Sequence, residues 1–285
     1  MLGLSIGFGI ITGGVLALAA LGLSLLFRTV KFINFSYGDV LALGAYLTFC
    51  FNVTLGLPLV LSALLGMFLT GIVGVIIHKA VVKPLKEGVK AGPLTLLIAT
   101  MGVAFIIRNL ILIIWGPEPK MYNVATQEAM QVGPFLITPI QLFAVISSVL
   151  IMVLIYLLLQ FTKLGKMIRA TSDNIDLARI RGIRTESVVV WTWLISSALS
   201  GLAGVMLGLM GAVDLHMGIE MLLVIFASVI MGGIGNPYGA VAGAMIIGIA
   251  MEVSSAFGLS EYKSALAYLL MGVILLLKPK GLFAR

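Results

Sequence analysis

Nine apolar runs, with almost all the positive charge on every second connection between them, confine this chain to a bilayer. A helix needs about 20 apolar residues to cross the hydrocarbon core. The runs fall near 4–27, 36–56, 57–78, 93–115, 138–160, 188–212, 218–234, 239–257 and 262–277. Barrel strands alternate apolar with polar residues, whereas these runs are apolar on every side. Charged residues make up 10% of the chain and hydrophobic ones 61%, where soluble domains carry about a quarter charged residues. The expected fold is all-α: a polytopic integral membrane bundle of eight to nine transmembrane helices, some discontinuous. Residues 1–285 hold no low-complexity linker, so they read as one membrane domain.

The net charge of +7 does not point to nucleic acid, because of where it sits. The segments 28–35, 79–92, 161–187 and 278–285 hold 15 of the 18 basic residues, leaving Arg108, Lys120 and Lys263 elsewhere. Such asymmetry marks cytoplasmic connections. The protein is then multi-pass in the cytoplasmic (inner) cell membrane, its N-terminus outside and its C-terminus inside. That requires an odd number of crossings. The run at 218–234 is short and holds Gly232 and Gly233, so a re-entrant dip is the alternative there, but nine crossings keep the basic tail inside. The first run has no basic residue before it and is too long for the apolar core of a signal peptide, so it reads as a span. Cys50 is the single cysteine and reads as a small core residue.

Two connections are long. Residues 116–137, with Pro117, Pro119 and Pro134, lie outside; residues 161–187 lie inside and are the most charged stretch. Small residues recur four apart within spans, as at Ser197 and Gly201, at Ser200, Gly204 and Gly208, and at Gly235, Gly239 and Gly243. Such spacing lets helix backbones approach closely in lipid. Tight packing does not explain two places where Gly or Pro joins polar side chains: Asn34–Asp39 (NFSYGD) and Gly232–Gly239 (GGIGNPYG). Both expose backbone groups that lipid cannot satisfy. Asn34, Ser36, Tyr37, Gly38, Asp39, Gly235 and Asn236 are therefore candidates for a substrate pathway. Both stretches contain Tyr-Gly-x-Val, a thin hint of an internal repeat.

Signals of enzymatic chemistry are missing. There is no GxxxxGK[ST] phosphate loop and no HExxH or Cys/His metal spacing. His78 and His216, the only histidines, fall on opposite sides of the membrane. No catalytic residue, metal site or cofactor is expected. Asp39, Arg108 and Glu252 are the ionisable residues deeper within spans, and such groups are costly there. Arg108 and Glu252 lie near outer span ends and are expected to reach the interface. Asp39 is short, so it either lines a conduit or marks a helix break, with inner-interface placement the alternative.

The cytoplasmic loop reads FTKLGKMIRATSDNIDLARIRGIRTESV. Ser172 is a plausible N-cap with Asp173 and Asp176 in the first turn. Arg179 and Arg181 close the last turn, and Gly182 sits where a left-handed residue belongs. Acid first and base last suits the helix dipole. Asp173–Arg181 is expected to be a helix of about 14 Å at about 1.5 Å per residue. Ile175, Leu177, Ala178 and Ile180 make it too apolar for a solvated loop, and they suit a groove on another protein.

Several motifs in order resemble the integral-membrane permease of branched-chain amino acid ABC importers. INFSYGDVLALGAYL resembles that family's second-span element. VVKPLKEGVKAGPLTLLIATMGVAFIIRNL resembles its Pro-Leu loop and following span. TKLGKMIRATSDNIDLARIRGI resembles its Gly-x-x-x-Arg-Ala loop, which here holds Arg169, and SALSGLAGVMLG its next span. VIMGGIGNPYGAVAGAMIIG and LLLKPKGLF resemble the closing segments. Two positions depart. The family commonly has Ala-His where Ser36-Tyr37 stand, and often glutamine at Arg108. The resemblance implies translocation of branched-chain, hydrophobic amino acids. It also implies partners: a second permease subunit, similar or identical, two cytoplasmic ATP-binding subunits that use the ATP, and an extracytoplasmic solute-binding protein. It assigns the 161–187 loop, with Arg169, Asp173, Asp176, Ala178, Arg179, Arg181 and Gly182, to ATPase coupling. Related permeases for urea, short amides, sugars or nucleosides share parts of the pattern. A stand-alone channel or ion-driven carrier is the reading from a different class, with Asp39 and Glu252 as its acidic candidates.

Overall fold

The computed structural model of the protein describes residues 2–124, 130–132, 135–258, 262–278 and 281–283. Pro134, Lys280 and Arg285 lie outside the described residues. The chain opens with α1 (Leu2–Val30) and α2 (Ser36–Phe49), which runs on into a wider π turn at Cys50–Thr54. Helix α3 (Leu59–Ile77) passes through a second π turn, His78–Val82, into α4 (Lys83–Glu87). Pro84 stands at the start of α4. A proline cannot donate its backbone bond and crowds the carbonyl four residues back, and the wider turn just before it accommodates that loss. Then come α5 (Pro93–Trp115), α6 (Pro139–Phe161), α7 (Lys163–Asp173), α8 (Ile175–Ile180) and α9 (Thr185–Met210). The last three are α10 (Met217–Gly232), α11 (Pro237–Ala256) and α12 (Lys263–Leu277).

Among the described residues, six helices are long and apolar enough to cross a membrane: Ser5–Val30, Leu59–Glu87, Pro93–Trp115, Pro139–Phe161, Thr185–Met210 and Pro237–Ala256. The remaining apolar helices, α2, α10 and α12, are shorter, at 14, 16 and 15 residues. Length and composition alone therefore do not confirm the expected eight to nine transmembrane helices. The all-helical expectation has one local exception. The 116–137 connection carries a small antiparallel pair, β1 (Met130–Val132) with β2 (Phe135–Ile137).

Helix α1 is the hub. It packs along α11 and against α9, α6 and α10, and Val15 to Ala20 are almost wholly buried. Helices α5 and α6 instead turn rows of large apolar residues outward, among them Ile106, Ile113, Ile146 and Leu150. Such a surface is stable only against lipid or another apolar protein face. The small-residue spacing has its predicted use. A methyl group on Gly44 would stand 2.3 Å from Gly201 Cα, so α2 and α9 touch backbone to backbone.

The basic segments that the sequence assigns to one side meet at one end of the bundle. Arg28 pairs with Asp173 at 3.3 Å, Lys83 pairs with Glu186, and Phe283 N donates to Gly232 O at 3.3 Å. The opposite end is tied by Asn123 N donating to Asn52 Oδ1 at 2.8 Å and by backbone bonds between Lys120 and Val213.

Candidate functional site

The Asn34–Asp39 turn is polar but closed on itself. Asn34 is 2% exposed, and its Oδ1 accepts from Ser36 N at 3.1 Å and Ser36 Oγ at 2.7 Å. That is the local bond by which asparagine holds a turn. Tyr37 OH donates to Ala19 O at 2.8 Å, and Ser200 Oγ donates to Tyr37 O at 3.0 Å. Gly38 lies so close to α10 that an added Cβ would be 2.2 Å from Gly218 O.

The Gly232–Gly239 break is closed in the same way. Gly233 and Gly235 take φ of 107° and 81°, which side chains with a Cβ strongly resist. Asn236 caps α11 through Oδ1, which accepts from Tyr238 N and Gly239 N. Its Nδ2 donates to Phe283 O at 2.8 Å, so Phe283 lies against the break.

Between the two breaks is a cavity of about 180 Å³ with wholly apolar walls. Leu23 and Phe27 come from α1, Ile33 and Phe35 from the first turn, Phe226 and Ile230 from α10, and Ile234 from the second break. The polar candidates Asn34, Ser36, Tyr37, Gly38, Asp39, Gly235 and Asn236 are not among these walls. The sequence located both breaks, but it favoured their polar members. The structure turns those into the frame and leaves the neighbouring Ile33, Phe35 and Ile234 to face the space. The alternation of polar and apolar residues through INFSYG was the available signal.

Asp39 is 1% exposed and is held by Arg108, with Nε to Oδ1 at 2.9 Å and Nη2 to Oδ2 at 3.1 Å. The expectation that Arg108 reaches an interface is corrected. A buried carboxylate with an arginine within reach binds it, because either charge alone is far costlier in apolar surroundings. Phe105 lies under the guanidinium at 5.8 Å. Glu252 is also paired: it accepts from Lys263 Nζ at 2.9 Å and from Thr12 Oγ1 at 3.2 Å.

The 161–187 connection is broken where a continuous helix was expected. Helix α7 runs through Asp173, Asn174 is extended, and α8 holds only Ile175–Ile180. Six residues span about 9 Å, not about 14 Å. The cap is Asn174, whose Oδ1 accepts from Asp176 N and Leu177 N at 3.0 Å. Ser172 is not the cap: it is buried inside α7, and its Oγ donates to Ile168 O. Asp173 closes α7 and pairs with Arg28. Asp176 does lie in the first turn of α8, and Arg179 in the last. Arg179 Nε donates to Thr185 Oγ1 at 3.1 Å. Arg181 follows as the C-cap, and Gly182 has the expected left-handed φ of 79°. Ala178 is 3% exposed and faces the protein, while Leu177 and Ile180 are 54% and 81% exposed. Arg169 folds back on the end of α6, with Nη1 donating to Leu159 O and to Gln160 Oε1.

Among known proteins, the family described as branched-chain amino acid transport system, permease component, matches residues 5–277. The high-affinity branched-chain amino acid transport system permease protein LivH of Escherichia coli (strain K12) is 27% identical, over 97% of this chain and 94% of its own. A probable branched-chain amino acid transport permease protein LivH of Methanocaldococcus jannaschii is 31% identical, over 96% of this chain and 90% of its own. PsaBC from Streptococcus pneumoniae, solved in complex with Fab, shares the fold with a TM-score of 0.51 at 14% identity. That match covers 95% of this chain and 89% of the solved one.

Proposed function

The chain belongs to the family of branched-chain amino acid transport permease components, and from that premise we propose that it is the membrane subunit through which an ABC importer passes aliphatic amino acids. It is a multi-pass membrane protein. The observation that carries the substrate reading is the apolar cavity where the two chain breaks meet. An aliphatic side chain gains from leaving water for such walls, and a charged or heavily hydroxylated solute does not.

In this reading the chain crosses the inner membrane nine times, with α2, α10 and α12 as short crossings and the basic end in the cytoplasm. The whole chain works as one permease domain and holds no cofactor. ATP is spent by two partner subunits. A second permease subunit completes the pathway, and an external binding protein delivers the solute. Leu177 and Ile180 offer the ATPase an exposed apolar contact on α8. Motion there has a short route inward. Asp173, just before α8, holds Arg28 of α1, and the same helix supplies Leu23 and Phe27 to the cavity. A nucleotide-driven step favours one state only if the contacts differ between states, and this ion pair is the contact proposed to differ.

The test is leucine uptake by the reconstituted importer. Phe35→Ala and Ile234→Trp, which enlarge and fill the cavity, are expected to change leucine transport at least tenfold while ATP hydrolysis persists. Uptake unchanged in both would remove the cavity from the pathway. Uptake by this chain alone in liposomes would support the carrier reading instead.

A further inference from the structure

At the basic end, a second cavity of about 320 Å³ opens between the π turn after α3, helix α8 and the start of α9. Its walls divide by chemistry. Lys83, Lys86 and Arg179 face it together with Glu87 and Glu186, while Val30, Val82, Ile175 and Val189 form an apolar side. Glu186 is already taken by Lys83. Among the described residues, Lys86 and Arg179 are in no ion pair. Lys86 also lies within electrostatic reach of Arg179, of the opposing Glu87 and of Lys31, leaving positive charge in excess. Like charges gathered on one cavity raise its potential and favour an anion. Arg179 uses Nε on Thr185, which leaves its terminal nitrogens for a further acceptor.

A second observation comes from His78 on the same wall. The residue is 7% exposed, its ring stacks on Trp193 at 5.6 Å, and its Nδ1 is buried with no hydrogen-bond partner. Buried polar atoms are almost always satisfied, so this unpaired nitrogen marks the wall behind the cavity as incompletely partnered.

We propose that this cavity binds a phosphate-bearing anion between Lys86 and Arg179, and that the apolar side makes a phospholipid headgroup its source. Basic pockets between membrane helices hold anionic headgroups in this way. The occupant would bridge α8 to α4 and, on the proposed function, stiffen the segment that moves during coupling.

The test is equilibrium binding of radiolabelled phosphatidylglycerol, phosphatidylcholine and inorganic phosphate to full-length protein in neutral detergent. Saturable binding of phosphatidylglycerol, but not phosphatidylcholine, is expected. Lys86→Gln should weaken it about fivefold or more, and Lys86→Arg should retain it. Lys163→Gln, at the same end but outside the cavity, should leave it unchanged. Saturable phosphate binding with the same dependence on Lys86 supports the site and identifies a free anion. The proposal is overturned if no anion binds saturably, or if Lys163→Gln weakens binding as much as Lys86→Gln. Lys86 is exposed, so its variants are expected to fold, and size-exclusion profiles check this.

Discussion

The guanidinium of Arg108 forks onto the carboxylate of Asp39, both bonds near 3 Å, across 69 residues of chain. The pair joins α5 to the first turn of α2. Its net worth over two apolar residues is small, because desolvation offsets attraction. Its loss on one side is not small.

Arg108→Gln is therefore expected to destabilise the protein by about 3 to 5 kcal/mol, since Asp39 would stay buried without a counter-charge. Asp39→Asn combined with Arg108→Gln should recover much of that. Thermal unfolding of both single variants and the double variant in detergent measures the coupling. Strictly additive losses would mean the two groups do not interact.

Gly44→Ala should destabilise by about 1 to 3 kcal/mol or more, because the added methyl meets the backbone of Gly201, which cannot yield. Gly102→Ala is the control, with nothing within 4 Å of its new Cβ. Equal melting temperatures for the two would contradict the close α2–α9 contact.

Arg28 is partly and Asp173 largely exposed, so their pair adds at most about 1 kcal/mol of stability. The expected effect lies in coupling. Asp173→Arg should leave melting nearly unchanged while reducing uptake per ATP hydrolysed, and adding Arg28→Asp should restore it. Failure of the exchange to rescue uptake would show that the route inward runs elsewhere.

Leu177→Asp and Ile180→Asp should abolish co-purification of the ATPase without changing stability, since both side chains are exposed. Ala178 is buried and is the wrong position for a crosslinker. Undiminished capture by both variants would count against α8 as the contact.

Tyr122, outside the spans, donates to Ala45 O at 3.1 Å, and burial pushes its phenol well above the ordinary value. A folded pKa above the unfolded one means stability is full below about pH 10 and falls as pH rises further. Tyr122→Phe should flatten that alkaline loss while costing about 1 kcal/mol at neutral pH. An unchanged alkaline unfolding curve would refute the assignment.

What was legible in the sequence was whatever depends on near neighbours along the chain. Long apolar runs dictate helices because lipid offers the backbone no partners. The alternating basic connections were enough to group Arg28, Lys83 and Asp173 at one end, where the structure joins their segments. The left-handed Gly182 was visible from its position after Arg181, since only the local turn matters there. The cap at Asn174 was missed because Ser172 is an equally good cap in isolation. Burial of Ser172 against α1, through Thr29, decided between them.

Pairing across the fold was beyond the sequence. Arg108 looked like an interface residue because its partner lies in another span, and only the packing of α5 on α2 brings Asp39 within reach. The side of each break that faces open space was undetermined for the same reason. A turn exposes polar and apolar residues equally until neighbouring helices close over one of them. Here α1, α9 and α10 close over Tyr37 and Gly38, leaving Ile33, Phe35 and Ile234 to line the cavity.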